Sequence, residues 1–212
     1  MLDFSNSKIL IVGDVMLDKY YFGKVDRISP EAPVPIVNIQ KEESRLGGAS
    51  NVANNIVSLG GHSLLCGVIG HDLFGKEIER ISRHKNIDTF LLKTSSPTIT
   101  KARIIGGKQQ IVRVDYEDKS ELNADNKKLF RDTISRILPE YDILVISDYG
   151  KGLISEDLCR YLIKLAHKYD KKVIIDPKGK NWEKYSGADI VTPNVKELSD
   201  IVGYGTQYRP GH

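Results

Sequence analysis

Short apolar runs that end in glycine or aspartate alternate along this chain with longer segments of helical period. A run that is apolar on both faces marks a strand buried between two layers of helices. The predicted strands cover residues 8–13, 63–70, 142–147, 172–176 and 189–192. The predicted helices cover residues 49–59, 73–84, 125–138, 155–169 and 194–202. This alternation predicts an α/β fold with a mostly parallel, doubly wound sheet.

Two segments do not fit the alternation. Residues 20–44 contain RISPEAPVPIVNIQ, in which three prolines lead into an alternating strand, and residues 98–118 read as a hairpin around Gly106 and Gly107. Together they predict a small second sheet that covers the open end of the main sheet. An extended surface linker is the alternative for the proline-rich stretch. We therefore expect one domain over residues 1–212, with β-lid segments at 18–45 and 98–118.

Composition and charge narrow the classes of function. The chain has 212 residues and a net charge of +3, which suits an anionic small molecule but not a nucleic-acid partner. The five histidines lack ligand spacing, so we expect no metal site built from protein ligands alone. Cys66 and Cys159 lie in apolar surroundings and are expected to be reduced core thiols. The apolar run Ile9–Val12 is too short for a signal peptide or membrane span, so we expect a cytoplasmic protein without a membrane partner.

The ends of the predicted strands carry most of the polar residues that could bind a ligand. In an open α/β sheet, ligands bind outside the carboxyl ends of the strands. Four of the five strand ends place a carboxylate or amide beside glycine or proline, as in Gly13-Asp14 and Asp176-Pro177. Each one alone is explained by turn chemistry or a helix cap. Their agreement favours a binding cleft along this edge.

The segment GHDLFGK, residues 70–76, has the spacing of a phosphate-binding P-loop. Glu77 follows where a magnesium-binding Ser or Thr belongs, and Asp72 falls among amides that should face phosphate. We interpret Asp72 as the cap of the next helix. No GxGxxG follows the first strand, and no GxSxG motif supports hydrolysis.

The hairpin at residues 98–118 carries cations whose placement depends on its register. With a three-residue loop, Lys101 lies opposite Arg113 and shares a face with Arg103, an unfavourable arrangement unless an anion lies between them. With a two-residue loop, Arg113 turns to the other face and the hairpin is a solvated charged sheet. The sequence leaves both registers open.

Six motifs in order, IVGDVMLD, LGGASNVANN, GHDLFG, SDYGKG, DPK and TPNVKEL, span essentially the whole chain. With them the chain resembles ribokinase-like carbohydrate kinases of the PfkB type. DRISPEAPVPIV, PTITKARI and QQIVRVD are similar to the heptose 7-phosphate kinases of this family. The resemblance implies a three-layer α/β sandwich with a β lid and ATP-dependent phosphorylation of a sugar. For the heptose branch, it implies phosphorylation of D-glycero-D-manno-heptose 7-phosphate at the anomeric hydroxyl, in ADP-heptose and lipopolysaccharide core synthesis.

The resemblance also assigns expected roles to residues. The sugar-binding candidates are Asp14, Asp18, Gly47, Gly48, Asn51, Lys101, Arg103, Arg113, Asp148 and Lys151, with Lys101, Arg103 and Arg113 for an existing phosphate. Lys178, Asn194 and Glu197 are expected near the ATP phosphates, with Glu197 acting indirectly on Mg²⁺. Asn194 and Glu197 are also the residue types of a capping box. A homodimer through the lid is expected by the same resemblance.

One part of the family pattern is missing from these 212 residues. The family carries its catalytic aspartate in a GAGD turn before a late helix, whereas SGADIV at residues 186–191 leads into an apolar strand. We therefore expect a C-terminally truncated kinase that is inactive alone, with its aspartate beyond His212. The alternatives are a non-catalytic module for sugar-phosphate binding or dimerisation, and a kinase of this family for another sugar.

Overall fold

A computed structural model describes residues 3–202. Those residues form ten strands: β1 Lys8–Gly13, β2 Val15–Ile28, β3 Pro35–Gly48, β4 His62–Gly70, β5 Asp88–Thr94, β6 Thr100–Gly106, β7 Gln109–Tyr116, β8 Ile143–Ser147, β9 Lys172–Asp176 and β10 Ile190–Val191. The helices are α1 Ala49–Ser58, α2 Leu73–His84, α3 Ala124–Ile137, α4 Glu156–Lys168 and α5 Val195–Val202. The main sheet has the order β10-β9-β8-β1-β4-β5, and every paired strand in it is parallel.

Helices cover both faces of this sheet, so the body is the predicted three-layer α/β sandwich. Helices α1 and α2 pack with Ile11 and Leu65 on one face. Helices α3 and α4 pack with Leu10, Val12 and Leu144 on the other. Successive residues of β1 thus enter opposite cores, and this explains why its sequence is apolar without alternation.

The predicted strands and helices of the body are confirmed to within a residue or two, and one strand was missed. Strand β5 pairs with β4 at the edge of the main sheet. Its sequence, DTFLLKT, carries polar residues at four of seven positions, because an edge strand is covered less than a central one. The two cysteines are confirmed as buried free thiols. Burial raises the pKa of Cys159 to about 12, so this thiol stays protonated and unreactive.

The two segments that break the alternation form the expected second sheet, with the order β3-β2-β6-β7. Strands β2 and β3 pair over almost their whole length, from Val15 opposite Gly48 to Ile28 opposite Pro35. The proline-rich stretch therefore makes the far turn of a long hairpin. The lid strands reach further than predicted: β2 begins directly after Asp14 and β3 runs directly into α1, so the lid grows out of the end of β1.

The hairpin of β6 and β7 has neither of the two registers considered from sequence. Its turn has two residues, Gly107 and Lys108, because Gly106 pairs with Gln109. A register shift beside Ile104 adds one residue to β7, which returns its later side chains to the original face. Arg103 therefore lies opposite Arg113, and Lys101 lies opposite Asp115. The predicted pairing of Lys101 with Arg113 is wrong, but the three cations do share a face.

The other end of the main sheet is covered least among the described residues. Strand β10 has only two residues and pairs with β9 alone. Helix α5 buries none of its residues, and Val195 is 71% exposed. Across residues 3–202, no helix has both the length and the apolar content to cross a membrane.

Candidate active site

Asp14 stands at the carboxyl end of β1 and is almost fully buried, at 2% exposure. Its Oδ2 accepts hydrogen bonds from the backbone N–H groups of Tyr149, at 2.8 Å, and Lys151, at 3.1 Å. Burial raises the pKa of Asp14, while these two hydrogen bonds oppose the rise. Its Oδ1 has no hydrogen-bond partner within residues 3–202. A buried acceptor with one free oxygen suits a hydroxyl ligand.

Gly47 and Gly48 lack side chains, and their backbone lies close to two aspartates, Asp14 and Asp18, near the start of β2. Gly48 has φ +55°, and a Cβ there would lie 2.4 Å from the carbonyl oxygen of Asp14. A Cβ on Gly47 would lie 2.5 Å from Oδ2 of Asp18. Only glycine fits at such close approach. Asn51, in the first turn of α1, is exposed at this end of the body.

The lid face above Asp14 carries both signs of charge. Arg103 donates to Oδ1 of Asp18 at 2.6 Å, and Arg113 pairs with Asp115 at 2.8 Å. These two carboxylates are the anions that make neighbouring cations on one face tolerable. Lys101 forms no ion pair with any residue in 3–202. Burial lowers its pKa, and the nearby charge of Lys151 lowers it further.

Asp148 and Lys151, in the loop after β8, are bound to other protein groups. Asp148 accepts from the Gly150 N–H at 2.7 Å and from the Tyr185 hydroxyl at 2.7 Å, and it pairs with Lys184. Lys151 pairs with Glu117, which directly follows β7 of the lid. The Asp148 carboxylate therefore braces the loop, whereas Lys151 links the loop to the lid.

Lys178, Asn194 and Glu197 meet on the other side of the cleft, beyond β9. The Asn194 side chain accepts from the Glu197 N–H at 2.9 Å, and Glu197 accepts from the Asn194 N–H at 3.1 Å. This is the reciprocal geometry of a capping box at the start of α5. Lys178 donates to Glu197 at 2.8 Å. Burial raises the pKa of Glu197, but hydrogen bonds from Lys178 and Asn194 outweigh it and hold the pKa low.

Two carboxylates on this side, Asp176 and Glu197, are of the ligand type that a hard divalent cation takes. Burial raises the pKa of Asp176, and the negative charge of Glu197 raises it further, so the two carboxylates repel each other. A Mg²⁺ ion held through water and carboxylate oxygen would relieve that repulsion. Within residues 3–202, however, no group of three His, Cys, Asp or Glu side chains could hold a metal without other ligands.

The candidate residues fall into two groups that share one edge of the sheet. Asp14, Asp18, Gly47, Gly48, Lys101, Arg103, Arg113 and Lys151 are joined by direct contacts or by mutual charge effects. Lys178, Asn194 and Glu197 form the other group. Burial raises the pKa of Tyr149, and the charges of Asp18 in the first group and Glu197 in the second raise it further. Asn51 follows Gly48 in the first turn of α1, but within residues 3–202 its exposed side chain makes no hydrogen bond or ion pair with either group.

Two functional contacts were missed in the sequence. Glu117 holds Lys151, and nothing in the motif DYED marks it. Asp72 caps α2 through the Gly75 N–H, as predicted in place of the P-loop, but it also accepts from the N–H and hydroxyl of Thr98, both at 2.7 Å. Asp72 therefore ties helix α2 to the segment that leads into the lid strand β6. The partner lies 26 residues away, so local sequence could not reveal it.

Comparison with known proteins assigns the sequence of this chain to a family. A model described as pfkB family carbohydrate kinase matches residues 6–205. The chain belongs to this family. The bifunctional protein HldE of Helicobacter pylori strain P12 is 48% identical over 193 residues, covering 90% of this chain and 42% of its own length. D-beta-D-heptose 7-phosphate kinase of Bordetella bronchiseptica is 44% identical over 200 residues, covering 94% of this chain and 63% of its own length. The chain thus spans less than two thirds of the length of these relatives.

Solved structures of carbohydrate kinases share the fold. The tetrameric inhibited form of phosphofructokinase-2 from Escherichia coli has a TM-score of 0.73 at 21% identity, over 96% of this chain and 66% of its own. A carbohydrate kinase from Agrobacterium tumefaciens has a TM-score of 0.71 at 18% identity, over 93% of this chain and 64% of its own. At these identities the likeness concerns the fold alone, and it agrees with the three-layer sandwich.

Proposed function

We propose that this chain carries the sugar-phosphate half of a kinase that transfers phosphate from ATP to D-glycero-D-manno-heptose 7-phosphate at the anomeric hydroxyl. The observation that carries the proposal is the lid face on which Lys101, Arg103 and Arg113 stand together beside Asp18. Three cations on one face suit a substrate that already bears a phosphate. The names of the relatives from Helicobacter and Bordetella support the same sugar.

In this proposal, hydroxyl groups of the sugar bind at the root of the lid. Asp14 and Asp18 accept hydrogen bonds from the hydroxyls, Gly47 and Gly48 allow close approach, and Asn51 adds an amide. Asp14 keeps a free oxygen for this role. Fixing the acceptor hydroxyl in place supplies a large part of the rate enhancement in phosphoryl transfer.

The lid cations bind the phosphate that the sugar already carries. Within residues 3–202, Lys101 has no ion-pair partner to give up, whereas Arg103, Arg113 and Lys151 first exchange Asp18, Asp115 and Glu117 for phosphate oxygens. For each cation, the exchange replaces one charge-assisted pair by another, and the released carboxylates, which are partly exposed, are left to solvent or to sugar hydroxyls. Asp148 acts through the loop it braces.

Lys178, Asn194 and Glu197 are proposed to face the ATP phosphates. Asp176 and Glu197 would hold Mg²⁺, which supplies charge neutralisation between the phosphate groups when it is bound. Lys178 adds a positive charge beside them, and its pKa is raised chiefly by its hydrogen bond to Glu197. The protein groups thus divide the cleft into a sugar side and a nucleotide side.

The catalytic aspartate of the family pattern does not occur as a GAGD turn within these 212 residues. We therefore propose that this chain binds the sugar phosphate but does not turn over. Calorimetry with heptose 7-phosphate should show binding, and a coupled ADP assay with Mg-ATP should show no turnover, in contrast to the longer relative from Bordetella bronchiseptica. Turnover by the chain alone would refute the proposal that it lacks the catalytic base. Absence of sugar-phosphate binding would refute the proposed substrate.

The same measurements separate the alternatives. A non-catalytic binding module predicts binding here and no dependence on any added C-terminal part. A kinase for another sugar predicts preference for hexose phosphate or ribose over heptose 7-phosphate. For the phosphate role, Arg113→Ala should weaken binding of the sugar phosphate about ten-fold and spare the dephosphorylated sugar. Equal loss for both ligands would remove Arg113 from the phosphate site.

A homodimer through the lid is part of the proposal. The lid face away from Lys101 exposes Val112, Val114 and Tyr116, at 44%, 38% and 47% exposure. An amphipathic sheet with one apolar face commonly packs against a partner. In sedimentation, Val114→Glu should abolish the dimer, whereas Leu129→Glu, at an exposed position of helix α3 in the body, is the control and should leave it intact. We place the reaction in the cytoplasm, within ADP-heptose and lipopolysaccharide core synthesis.

A further inference from the structure

The segment between β9 and β10 carries a buried tyrosine that none of the sequence motifs contains. Tyr185 is 3% exposed and belongs to the core that α3 and α4 form with the sheet. The segment folds back on itself around this residue, because the Tyr185 N–H donates to the Trp182 carbonyl at 2.9 Å and the Ala188 N–H donates to the Tyr185 carbonyl at 3.0 Å. The ring is thereby held in the core, while its hydroxyl reaches the polar edge where β8 and β9 end.

The Tyr185 hydroxyl contacts the loop after β8 and the loop after β9 at once. It lies 2.7 Å from Oδ2 of Asp148, accepts from the Lys178 N–H at 2.9 Å and lies 3.1 Å from the Lys178 carbonyl oxygen. A hydroxyl has one proton to donate, and the closer acceptor, Asp148, is also the charged one. Burial raises the pKa of Tyr185, so the proton stays on the hydroxyl. The hydroxyl therefore donates to one loop and accepts from the other.

Asp148 extends this connection to the sugar side of the cleft. Its Oδ1 accepts from the Gly150 N–H at 2.7 Å, whereas its Oδ2, which also pairs with Lys184, accepts from Tyr185. Gly150 stands between the two residues whose N–H groups donate to Oδ2 of Asp14. One carboxylate thus connects the Tyr185 hydroxyl to the loop that holds Asp14.

The sheet by itself does not fix Lys178. The Asp148 N–H donates to the Asp176 carbonyl at 3.0 Å, and this bond joins the ends of β8 and β9. Lys178 lies two residues beyond that point, and the partner of its backbone N–H is the Tyr185 hydroxyl. A tyrosine that only filled the core would need one partner for its hydroxyl, but not a partner on each of two loops.

We propose that Tyr185 is a positioning residue that couples the loop after β8 to the loop after β9. This role rests on the proposed function, which places the sugar at the first loop and the ATP phosphates at the second. Through Tyr185 and Asp148, Lys178 is held at a set position relative to Asp14, as a transfer between two bound substrates requires. A displacement of either loop is passed to the other, because such coupling is reciprocal.

The test compares the NMR solvent-exchange rates of backbone amides in the whole chain before and after Tyr185→Phe. The Lys178 amide loses its acceptor and should exchange at least about five-fold faster. The Gly150 amide does not bond to the hydroxyl, but it should exchange at least about two-fold faster, because its acceptor Asp148 loses a partner. Tyr161→Phe is the matched control and should change neither rate, since Tyr161 is half-buried on α4 and its hydroxyl makes no hydrogen bond within residues 3–202.

Three results of this comparison would overturn the inference. Faster exchange at Lys178 alone would mean that the hydroxyl holds one loop without coupling it to the other. Unchanged exchange at both Lys178 and Gly150 would mean that the hydroxyl holds neither. An equal acceleration at Leu10, in the core strand β1, would mean that Tyr185 contributes only to general stability.

A titration of the native protein with heptose 7-phosphate gives a second measurement that does not depend on the variant. The sugar phosphate should shift the amides of both Lys151 and Lys178, and in Tyr185→Phe it should shift Lys151 alone. If Lys151 alone shifts in the native protein, the coupling is overturned and the sugar-phosphate proposal stands. If the exchange rates change as expected but the sugar phosphate shifts neither amide, the coupling stands and the proposed substrate is overturned.

Discussion

The body and the lid of this protein are stabilised by different kinds of contact. In the body, Leu10, Leu144 and Phe130 are fully buried between the sheet and its helices. In the lid, the face above the cleft is built from ion pairs such as Arg103–Asp18 and from aromatic contacts such as Tyr20 with Phe22. Buried apolar side chains make contacts that do not change when a ligand binds. Charged side chains, in contrast, can exchange a protein partner for a phosphate. The difference suits a rigid frame with an adaptable cover.

The largest expected effect lies in the body. Phe130→Ala should lower the free energy of unfolding by about 3–5 kcal/mol, because it leaves a cavity against Phe90 and the sheet. Urea unfolding measures this loss. Leu129→Ala, its exposed neighbour on α3, should cost less than about 1 kcal/mol and serves as the control. Similar losses for both would mean that α3 is not packed as described.

The next effect concerns ligand binding by the lid. Lys101→Met should weaken binding of heptose 7-phosphate at least about ten-fold, because a charge-assisted hydrogen bond is worth about 1.5–3 kcal/mol. The fold should be unaffected, since Lys101 makes no ion pair in residues 3–202. Lys108→Met, in the hairpin turn of the same sheet, is the matched control for charge. If both variants bind equally well, the phosphate does not lie on this face.

A smaller effect is expected at the junction of body and lid. Asp72→Asn should lower stability at pH 7 by about 1–2 kcal/mol, because Asp72 accepts from Gly75 and twice from Thr98. Burial raises the pKa of Asp72, but the hydrogen bonds outweigh it and hold the pKa below its ordinary value. The unfolded pKa therefore exceeds the folded one, and the carboxylate stabilises the fold above the unfolded value, about 3.9.

This sign sets the pH dependence. The stability difference between the native protein and Asp72→Asn should be constant near neutral pH and shrink as pH falls below about 4 towards the folded pKa. Urea midpoints at several pH values measure it. Asp132→Asn, an exposed acid on α3, is the control. A difference that grows on acidification would contradict the assigned sign.

The smallest effect is expected at an exposed ion pair of the body. Arg80 pairs with Glu77 at 2.8 Å on α2, and its side chain is 66% exposed. Arg80→Ala should change stability by less than about 1 kcal/mol and leave sugar-phosphate binding unchanged. Arg103→Ala, which removes a comparable pair from the cleft, should weaken that binding. If both variants bind the sugar phosphate equally well, the ion pairs of the lid have no role in binding it.

The body could be predicted almost completely from sequence because its signals are local. Strands such as KILIVG are apolar at every core position. The start of α4 is marked by the cap residue Ser155 and by two acidic residues in the first turn. Edge strand β5 was missed because its periodicity is diluted by polar residues. The family itself was evident from motifs such as LGGASNVANN, which the family comparison confirmed.

The lid register could not be predicted, because one additional residue in β7 decides which face Arg113 occupies. A side chain on a strand changes face with every residue, and the cost of such a bulge depends on its neighbours in the paired strand β6, which no local pattern of β7 itself reveals. The pairing of Glu117 with Lys151 joins residues 34 positions apart. No local pattern encodes a contact of that kind.

The sequence alone determined the layers of the body, the order along the chain of its helices and of its strands other than β5, and the chemical types of residue at the strand ends. Periodicity and turn chemistry act over a few residues, and they are sufficient for that level. Only the tertiary structure decided which oxygens remain free, which cations are already paired and that the Tyr185 hydroxyl contacts two loops. Those properties depend on distances in space between residues that are far apart in the chain. Such distances are fixed only when the chain folds.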